Sequence, residues 1–450
     1  MKRLLHALDR HWFAPSDQRN IAAARIVVAA ILLFCLLAPP ALTFVLGFSS
    51  EFAWEKQRWF ASLPDYDFTP IPALKLLTVP FGAWGERPGP AFLHVVHWVA
   101  VISGFSALLG FWTRASLLAL AGTSTLLIAH AYSYAEMHHP EVMPILAVWI
   151  LALGPAGAAW SVDAVRRRLG QARHTVTFEP VANLDRRDRY ARWGLRLIQW
   201  LLASAYFSAG IAKFRLGAGE WLSGSTMIGR LARRAMVTGS DLPTLVMQIP
   251  LAASVIAWLT VAFELTFFLA ILLPRLTLPF LLVGASFHLG IFILLGADFL
   301  AWPLLYVVFL DIGGGGPLDP SRRLRARRDW TVIYDGLCPL CIRSMVILDA
   351  LDIRGRLGFV DLEGEPERLP AAASGLSPEE LRHRMHVVSP DGRIFRGFYA
   401  FRMLARFLPA VWPLLPLLHL PGVESIGSRV YDHVADRRSR LACRVDTCDR

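Results

Sequence analysis

Two cysteines lie at a spacing that supports thiol–disulfide chemistry. Cys338 and Cys341 are separated by Pro339 and Leu340. The run before them is rich in β-forming residues and the run after them has helical periodicity, so the first sulfur is predicted at a helix N-terminus. The helix dipole favours the thiolate there, which is the reactive form of cysteine. Cys341, one turn further on, can resolve a mixed disulfide. We therefore interpret the pair as a redox site.

The alternative interpretation is that these two cysteines are one pair of ligands of a zinc site. A zinc site needs a second pair of ligands, and Cys443 and Cys448 are separated by four residues rather than two. We therefore predict no metal. The two distal cysteines are interpreted as tail thiols, with a shuttling dithiol as the alternative. Cys35 lies alone in an apolar run and is interpreted as a core residue.

The region around the pair resembles the DCC family of thiol-disulfide oxidoreductases, whose motif is Tyr-Asp-Gly-x-Cys-Pro-x-Cys. Asp335, Cys338 and Cys341 match that motif, and the resemblance covers about residues 330–440. It implies a thioredoxin-like fold and a catalytic role for these three residues. The partner that the resemblance implies is a thiol- or disulfide-containing protein of unknown identity.

A second set of candidate residues lies inside apolar segments, where ionisable groups are costly and so are functional candidates. Lys213, Glu264 and His288 are three of them. The alternative for Lys213 is a lysine at a helix end whose charge reaches the lipid headgroups. His94 and His97 share one helix face and are interpreted as partners in interhelical hydrogen bonds.

These segments resemble the HTTM domain, the membrane domain of vitamin K-dependent gamma-carboxylase and its bacterial relatives. The resemblance spans about residues 20–312. It rests on three stretches: His138-His139 followed by Trp160-Ser161-Val162-Asp163, Ala209-Gly210-Ile211-Ala212-Lys213 followed by Trp221 and Gly224, and Ser286-Phe287-His288.

In that family, the lysine after Ala-Gly deprotonates vitamin K hydroquinone. The resemblance implies this role for Lys213, a supporting role for His139, with His138 as the alternative, and a further functional role for His288. The implied cofactor is a quinol or a vitamin K-type hydroquinone. In the eukaryotic carboxylase, a large propeptide-binding domain follows the membrane part, whereas a thiol domain follows it here. Carboxylation itself is therefore left open.

The elements that must position Lys213, Glu264 and His288 are membrane-spanning helices. Hydrophobic residues make up 55% of the chain and charged residues 18%. Apolar runs of about 18 or more residues recur through the first two thirds, and each is long enough to cross a bilayer. We predict about eight transmembrane helices, near residues 20–48, 91–112, 115–134, 142–160, 193–214, 250–273, 276–295 and 299–312.

The C-terminal region has a different periodicity. Runs rich in β-forming residues predict strands at 329–334, 357–362, 385–389 and 393–395. Asp391-Gly392 is a hairpin signal between the last two, and Ser377 is a predicted helix N-cap followed by Pro378. The predicted fold class is an all-α membrane bundle plus a C-terminal thioredoxin-like α/β domain.

Composition divides the chain into a membrane domain at 1–312, a basic linker with glycine and proline at 313–328, and a thioredoxin-like domain with a helical tail at 329–450. Arginines cluster at the N-terminus, in the 161–192 loop and in the linker. The positive-inside rule then predicts that both termini are cytoplasmic, in a bacterial inner membrane. This clustering accounts for the net charge of +11, so a lipid bilayer rather than nucleic acid is the expected partner.

These patterns predict a membrane redox enzyme that combines a gamma-carboxylase-like, quinol-dependent site with a cytoplasmic dithiol domain. One alternative is a membrane-anchored thiol-disulfide oxidoreductase whose bundle is only an anchor or partner platform. Another is a non-enzymatic transport or export component, which internal repeats would favour. The sequence has no clear repeat.

Overall fold

The computed structural model describes residues 2–78, 86–135, 140–171, 178, 180, 187–312, 318–319, 329–353 and 355–442. The chain forms two compact units. The first contains residues 1–161 and 187–318, and the second contains residues 162–186 and 319–450. The second unit therefore takes in a segment between two apolar helices of the first, in addition to the C-terminal region.

The first unit is almost entirely helical. Its helices are Lys2–Phe13, Gln18–Leu37, Pro40–Val45, Trp54–Phe60, Pro72–Thr78, Pro90–Leu109, Thr113–Tyr132, Val142–Leu153, Tyr190–Leu222, Ser225–Thr238, Asp241–Gln248, Ala252–Thr266, Leu269–Leu272, Pro274–Leu295 and Ala301–Leu304. Short 3-10 helices cover Asp65–Asp67 and Leu305–Phe309. Two-residue strands, β1 (Ser16–Asp17) and β2 (Arg187–Asp188), pair in antiparallel fashion.

Among the described residues, five helices are long and apolar enough to cross a membrane. They are Gln18–Leu37, Pro90–Leu109, Thr113–Tyr132, Tyr190–Arg215 within the longer helix, and Pro274–Leu295. Counting two sharply bent helix pairs as one span each raises the number to seven. One pair, Asp241–Gln248 with Ala252–Thr266, lies in the first unit and is bent by 98°. The predicted helical membrane protein is thus supported, whereas the count of eight spans is not confirmed.

Differences from the predicted spans occur where proline or glycine interrupts an apolar run. The first long helix ends at Leu37, because Pro39 begins a new turn. The helix that begins at Val142 ends at Leu153, before Gly154, and is only 12 residues long. The segment predicted as the last span forms only short helical turns between Ala301 and Phe309.

A buried arginine holds the turn that follows the Val142–Leu153 helix. Arg25 is 0% exposed, and its guanidinium donates hydrogen bonds to the carbonyl oxygens of Ala156, at 2.7 Å, and Trp160. Trp160 has a left-handed backbone with φ of 45°, which is rare for a residue with a side chain. Charge-assisted hydrogen bonds from Arg25 therefore stabilise the turn that leads into Ser161.

The second unit is an α/β domain on a four-stranded sheet with the order β4-β3-β5-β6. The strands are β3 (Trp330–Tyr334), β4 (Leu357–Asp361), β5 (His386–Val388) and β6 (Ile394–Arg396). β3 and β4 are parallel, while β5 is antiparallel to both β3 and β6. The helix Pro339–Leu351, called the dithiol helix below, connects the parallel pair, as such a pair requires. This is the order predicted for a thioredoxin-like domain.

Local signals in this domain are confirmed. Ser377 caps the helix Pro378–His383 in a full capping box with Glu380. Gly392 has φ of 80° in the turn between β5 and β6, which a residue with a side chain rarely adopts. The other helices of the unit are Val162–Gln171, Phe398–Ala405, Leu415–Leu418 and Val423–Ala442, with 3-10 helices at Pro366–Arg368, Ala371–Ala373 and Pro409–Leu414.

The segment that joins the two apolar helices contributes to the second unit through a charge and an aromatic ring. Arg168, in the helix Val162–Gln171, forms an ion pair of 3.0 Å with Asp349 of the dithiol helix. Phe178 contacts the rings of Tyr334 and Phe359, with centroids 5.8 and 5.1 Å away. The domain core is therefore completed by residues that precede it in the chain by more than 150 positions.

We predict that Arg25→Met destabilises the first unit, because buried carbonyl oxygens would lose charged donors. Each such hydrogen bond contributes about 1.5–3 kcal/mol. The midpoint of thermal unfolding in detergent should fall clearly, and Arg25→Lys should restore part of it. Arg58→Met, at an exposed arginine of the same unit, is the control. Equal midpoints for Arg25→Met and Arg58→Met would contradict this role for Arg25.

Candidate functional site

The dithiol lies where β3 leads into the dithiol helix. Cys338 is the N-cap residue, and its Sγ accepts a hydrogen bond of 3.4 Å from the backbone N–H of Cys341. Pro339 occupies the first helical turn, where its missing N–H has no cost. The sulfur of Cys338 is thus at the positive end of the helix dipole. Cys338 is 8% exposed and Cys341 is partly exposed.

Two aspartates shape the turn that precedes the cysteines. The backbone N–H of Leu337 donates to Asp335 Oδ1 at 3.0 Å, and that of Gly336 donates to Asp361 Oδ1 at 3.1 Å. Asp361 ends β4 and pairs in register with Tyr334 of β3. A Cβ on Gly336 would lie 2.0 Å from a carboxylate oxygen of Asp361. The close approach of the Asp361 carboxylate to the backbone therefore requires glycine at position 336. Asp361 was not among the candidate residues that the sequence suggested.

Tyr334 forms a neutral, largely buried neighbour of this turn. Burial, together with the carboxylates of Asp361 and Glu365, raises the pKa of Tyr334 well above its usual value. Its phenol therefore stays protonated at physiological pH. The negative charges beside the dithiol come from carboxylates and not from this side chain.

The candidate residues of the first unit lie on three helices. We call Tyr190–Leu222 the lysine helix, Ala252–Thr266 the glutamate helix and Pro274–Leu295 the histidine helix. Lys213 Nζ donates to both carboxylate oxygens of Glu264, at 2.6 and 2.8 Å. The side chain of Glu264 is 5% exposed and that of Lys213 is 19% exposed. The amine is thus directed at a buried carboxylate, and its helix is interrupted four residues further on, at Gly217, whose backbone is not helical.

A glycine allows the two helices to approach closely enough for this ion pair. Gly210 lies one turn before Lys213, and a Cβ there would come within 2.9 Å of the side chain of Leu265 and 3.2 Å of the Cβ of Glu264. Small residues at helix crossings are the usual route to such approaches in membranes. The Ala-Gly element before the lysine therefore has a packing reason.

His288 belongs to a neighbouring polar network on the same face of the lysine helix. Tyr206, about two turns before Lys213, places its hydroxyl 2.6 Å from His288 Nε2 and 2.9 Å from the hydroxyl of Tyr306. His288 is 2% exposed, and its Nδ1 has no hydrogen-bond partner among the described residues. A Cβ on Gly284 would lie 2.2 Å from the Tyr306 hydroxyl, so this glycine makes room for the network.

The predicted site residues thus fall into separate groups. Lys213 and His288 are each held by partners on other helices, and the dithiol residues form their own turn in the second unit. His138, His139, Cys443 and Cys448 lie outside the described residues, so their predicted roles stay predictions. Within the described part of the chain, no group of three or more His, Cys, Asp or Glu side chains is arranged to hold a metal ion.

Sequence reasoning missed two other buried polar residues of the first unit, Glu141 and Gln57. Glu141 is 2% exposed and accepts a hydrogen bond of 3.0 Å from the hydroxyl of Tyr132. His130 Nδ1 lies 2.9 Å from Gln57 Oε1. Glu141 directly precedes an apolar run, and position alone does not show that a carboxylate at the end of such a run turns inward. The spacing of Tyr206 and Lys213 on one helix was the available signal for their shared face.

Comparison with known proteins finds two families in the chain. A family model described as the HTTM domain matches residues 74–310, more than half of the chain, and one described as DCC1-like thiol-disulfide oxidoreductase matches residues 332–444. The predicted fusion is therefore confirmed. An uncharacterised chloroplastic protein of Arabidopsis thaliana is 26% identical over 120 residues, which are 26% of this chain and 55% of that protein. The chain spans about half the length of this curated relative. No solved structure matches the present chain.

We predict that Gly336→Ala slows disulfide exchange although both sulfurs are retained. The added Cβ would collide with Asp361 and displace either the turn or the end of β4, at a cost of about 1–3 kcal/mol. The control is Gly375→Ala, since a Cβ at Gly375 would meet no atom within 4 Å. Exchange rates and unfolding midpoints that are the same for both variants would show that the Gly336–Asp361 contact has no such role.

Proposed function

The chain belongs to the HTTM domain family, and on this premise we propose that it is an integral membrane redox enzyme with two reactive sites. One is a thiol–disulfide site at Cys338 and Cys341. The other is a proton-transfer site at Lys213 that acts on a quinol-type compound. The observation that carries the proposal is the Lys213–Glu264 ion pair, with its buried carboxylate, inside an HTTM domain that is followed by an N-capping cysteine in a DCC1-like domain.

The dithiol reaction follows from the position of the two sulfurs. The thiolate of Cys338 attacks one sulfur of a substrate disulfide, so that a mixed disulfide forms and one substrate thiolate leaves. Cys341, one turn further along the helix, then attacks the sulfur of Cys338 and releases the second substrate thiolate. Asp335 positions the turn by accepting the Leu337 N–H. The partner is a protein thiol or disulfide of unidentified sequence.

A hydroquinone suits the residues of the first unit. His288 Nδ1 is buried without a described partner and can bond a ligand hydroxyl. An apolar cavity of about 410 Å³ lies between the glutamate and histidine helices and is lined by Phe263 and Phe287, while Lys213, Glu264 and His288 are not part of its lining. When bound, such a compound supplies two electrons and an ionisable hydroxyl. His139, whose role is also part of this proposal, lies outside the described residues.

Lys213 must lose a proton before it acts as a base. In the ion pair it is protonated, and the nearer oxygen of Glu264 is 2.6 Å from its Nζ. Transfer of one proton across this hydrogen bond leaves a neutral amine beside a neutral carboxylic acid, without any net change of charge. Glu264 is therefore the proton acceptor that makes Lys213 available as a general base.

The orientation of the chain is also a proposal. The arginine distribution supports cytoplasmic termini in a bacterial inner membrane. The membership of residues 162–186 in the same compact unit as the DCC1-like domain supports one side of the membrane for both. The dithiol would then face the cytoplasm.

The second candidate function is a membrane-anchored thiol-disulfide oxidoreductase whose bundle is only an anchor or partner platform. The Lys213–Glu264 pair favours it in one respect. Two carboxylate oxygens and one ammonium group satisfy each other, so the pair is also explained as an interhelical contact without catalytic use.

Lys213→Arg distinguishes these two functions. Arginine keeps the positive charge and the ion pair with Glu264, but it does not lose its proton in proteins. We expect a folded bundle and a loss of quinol-dependent oxygen consumption of about 10²–10⁴-fold, as for loss of one general base. Arg215→Lys, at an exposed position of the same helix, is the control. Full activity in folded Lys213→Arg would exclude the base mechanism and favour the anchor.

For the dithiol, we predict different consequences of the two cysteine substitutions. Cys338→Ser should abolish exchange, whereas Cys341→Ser should accumulate mixed disulfides with substrate proteins, because the resolving thiol is absent. Cys338 should also be alkylated faster than Cys341 at neutral pH. Equal alkylation rates for the two thiols would argue against catalysis.

The proposed orientation predicts where the dithiol can be labelled. In intact cells, a membrane-impermeant reagent should label neither thiol until the membrane is permeabilised. Labelling of either thiol from outside intact cells would reverse the orientation.

A further inference from the structure

An apolar cavity of about 350 Å³ opens beside the dithiol in the second unit. Cys341 is part of its wall, together with Leu340 and Met345 of the dithiol helix. Phe398 lines it from the helix Phe398–Ala405, and Val430 lines it from the helix Val423–Ala442, which we call the tail helix. One redox-active sulfur of the motif therefore borders a hydrophobic compartment.

The tail helix is held over this cavity by polar contacts at its rim. The hydroxyl of Tyr431 accepts a hydrogen bond of 2.8 Å from the backbone N–H of Met385. Arg384 pairs with Asp432 at 2.9 Å, and His383 lies 3.4 Å from Asp436. Arg382, the other arginine of the lining, pairs with Glu363 at 2.8 Å. Because both lining arginines face carboxylates, neither is left unpaired to select an anionic ligand. The interior selects by apolar contact.

The size of the cavity favours a small molecule over a folded protein partner. Ligand sites for small molecules have volumes of about 300–1,000 Å³ and walls that are mostly apolar and aromatic. Phe398 and Phe401 supply aromatic walls, and Asp335 and Cys341 are among the polar lining residues. A flat, uncharged ring that accepts electrons from a dithiol matches this combination of lining and chemistry.

We propose that this cavity binds a quinone and that the dithiol reduces it to the hydroquinone. The S–S bond forms between Cys338 and Cys341, the two thiols are oxidised, and two electrons pass to the quinone. The two thiol protons end on the two quinone oxygens. This inference rests on the proposed function, and it makes the thiol domain the source of the reduced compound that the Lys213 site consumes.

The test uses the full-length protein in detergent, reduced and freed of reductant under anaerobic conditions. The oxidant is tetramethyl-1,4-benzoquinone, whose fully substituted ring disfavours stable thiol addition. Val430→Trp fills the cavity from its lining. Ile426→Trp is the matched control, because Ile426 is on the same helix, is 62% exposed against 58% for Val430, and does not line the cavity. Quinone absorbance and remaining protein thiols are followed together.

We expect the wild type and Ile426→Trp to lose two thiols per quinone reduced, and Val430→Trp to react at least about tenfold more slowly. Oxidation by cystine, a small polar disulfide, should proceed equally in all three proteins. Quinone reduction at the wild-type rate in Val430→Trp would overturn the proposal. Equal slowing of both oxidants in that variant would overturn it too, because the cavity would then have no selective role.

A separate outcome tests the underlying function. If the wild type does not exchange with cystine, the proposed thiol–disulfide activity fails. If it exchanges with cystine but does not reduce the quinone, only the cavity assignment fails. Cys341→Ser should lose quinone reduction whether it is introduced alone or together with Ile426→Trp, since one thiol cannot form the intramolecular disulfide.

Discussion

A charged amine inside an apolar helix bundle needs a partner, and the arrangement of the first unit depends on the partner that Lys213 has. Taking one ion out of water costs several kcal/mol even after relaxation, and a well-placed opposite charge offsets that cost. Glu264 supplies this opposite charge, with its two carboxylate oxygens 2.6 and 2.8 Å from Lys213 Nζ. Removal of one member of such a pair typically costs about 3–5 kcal/mol. The lysine and glutamate helices are therefore constrained to one separation, and Gly210 is the residue that permits it.

In the proposed mechanism, the same constraint gives the pair its chemical use. A carboxylate that stabilises the ammonium form also provides a place for its proton, so stability and the proposed base catalysis would depend on one hydrogen bond. The neighbouring Tyr206–His288 contact has a similar character, because its members are satisfied by each other while one imidazole nitrogen is left toward the interior. Polar groups of this kind are costly unless they are fully paired, and the proposed function assigns this nitrogen to a ligand hydroxyl.

The second unit solves a different problem. Its candidate reactive sulfur lies at a helix N-terminus, so the required precision is in the backbone of one turn. Gly336 and Asp361 supply that precision, because the carboxylate that holds the turn leaves no space for a side chain. In the proposed reaction, electrons leave this turn through a small apolar compound and are used at the Lys213 site. In this proposal, the second unit reduces the quinone at its dithiol, and the first unit removes a proton from the hydroquinone at Lys213.

The sequence by itself determined the features that depend on neighbours within a few residues. The dithiol helix, the Ser377 capping box and the hairpin at Gly392 follow from local hydrogen bonds, and apolar runs are enough to identify membrane helices. Hydropathy is insensitive to where a backbone breaks, so the ends of several spans differ from prediction. Only the tertiary structure decided that Lys213 pairs with Glu264, 51 residues away, and Tyr206 with His288, 82 residues away. Such partners are selected by helix packing, because a charge or hydroxyl in an apolar bundle pairs with whichever polar group close packing brings within reach.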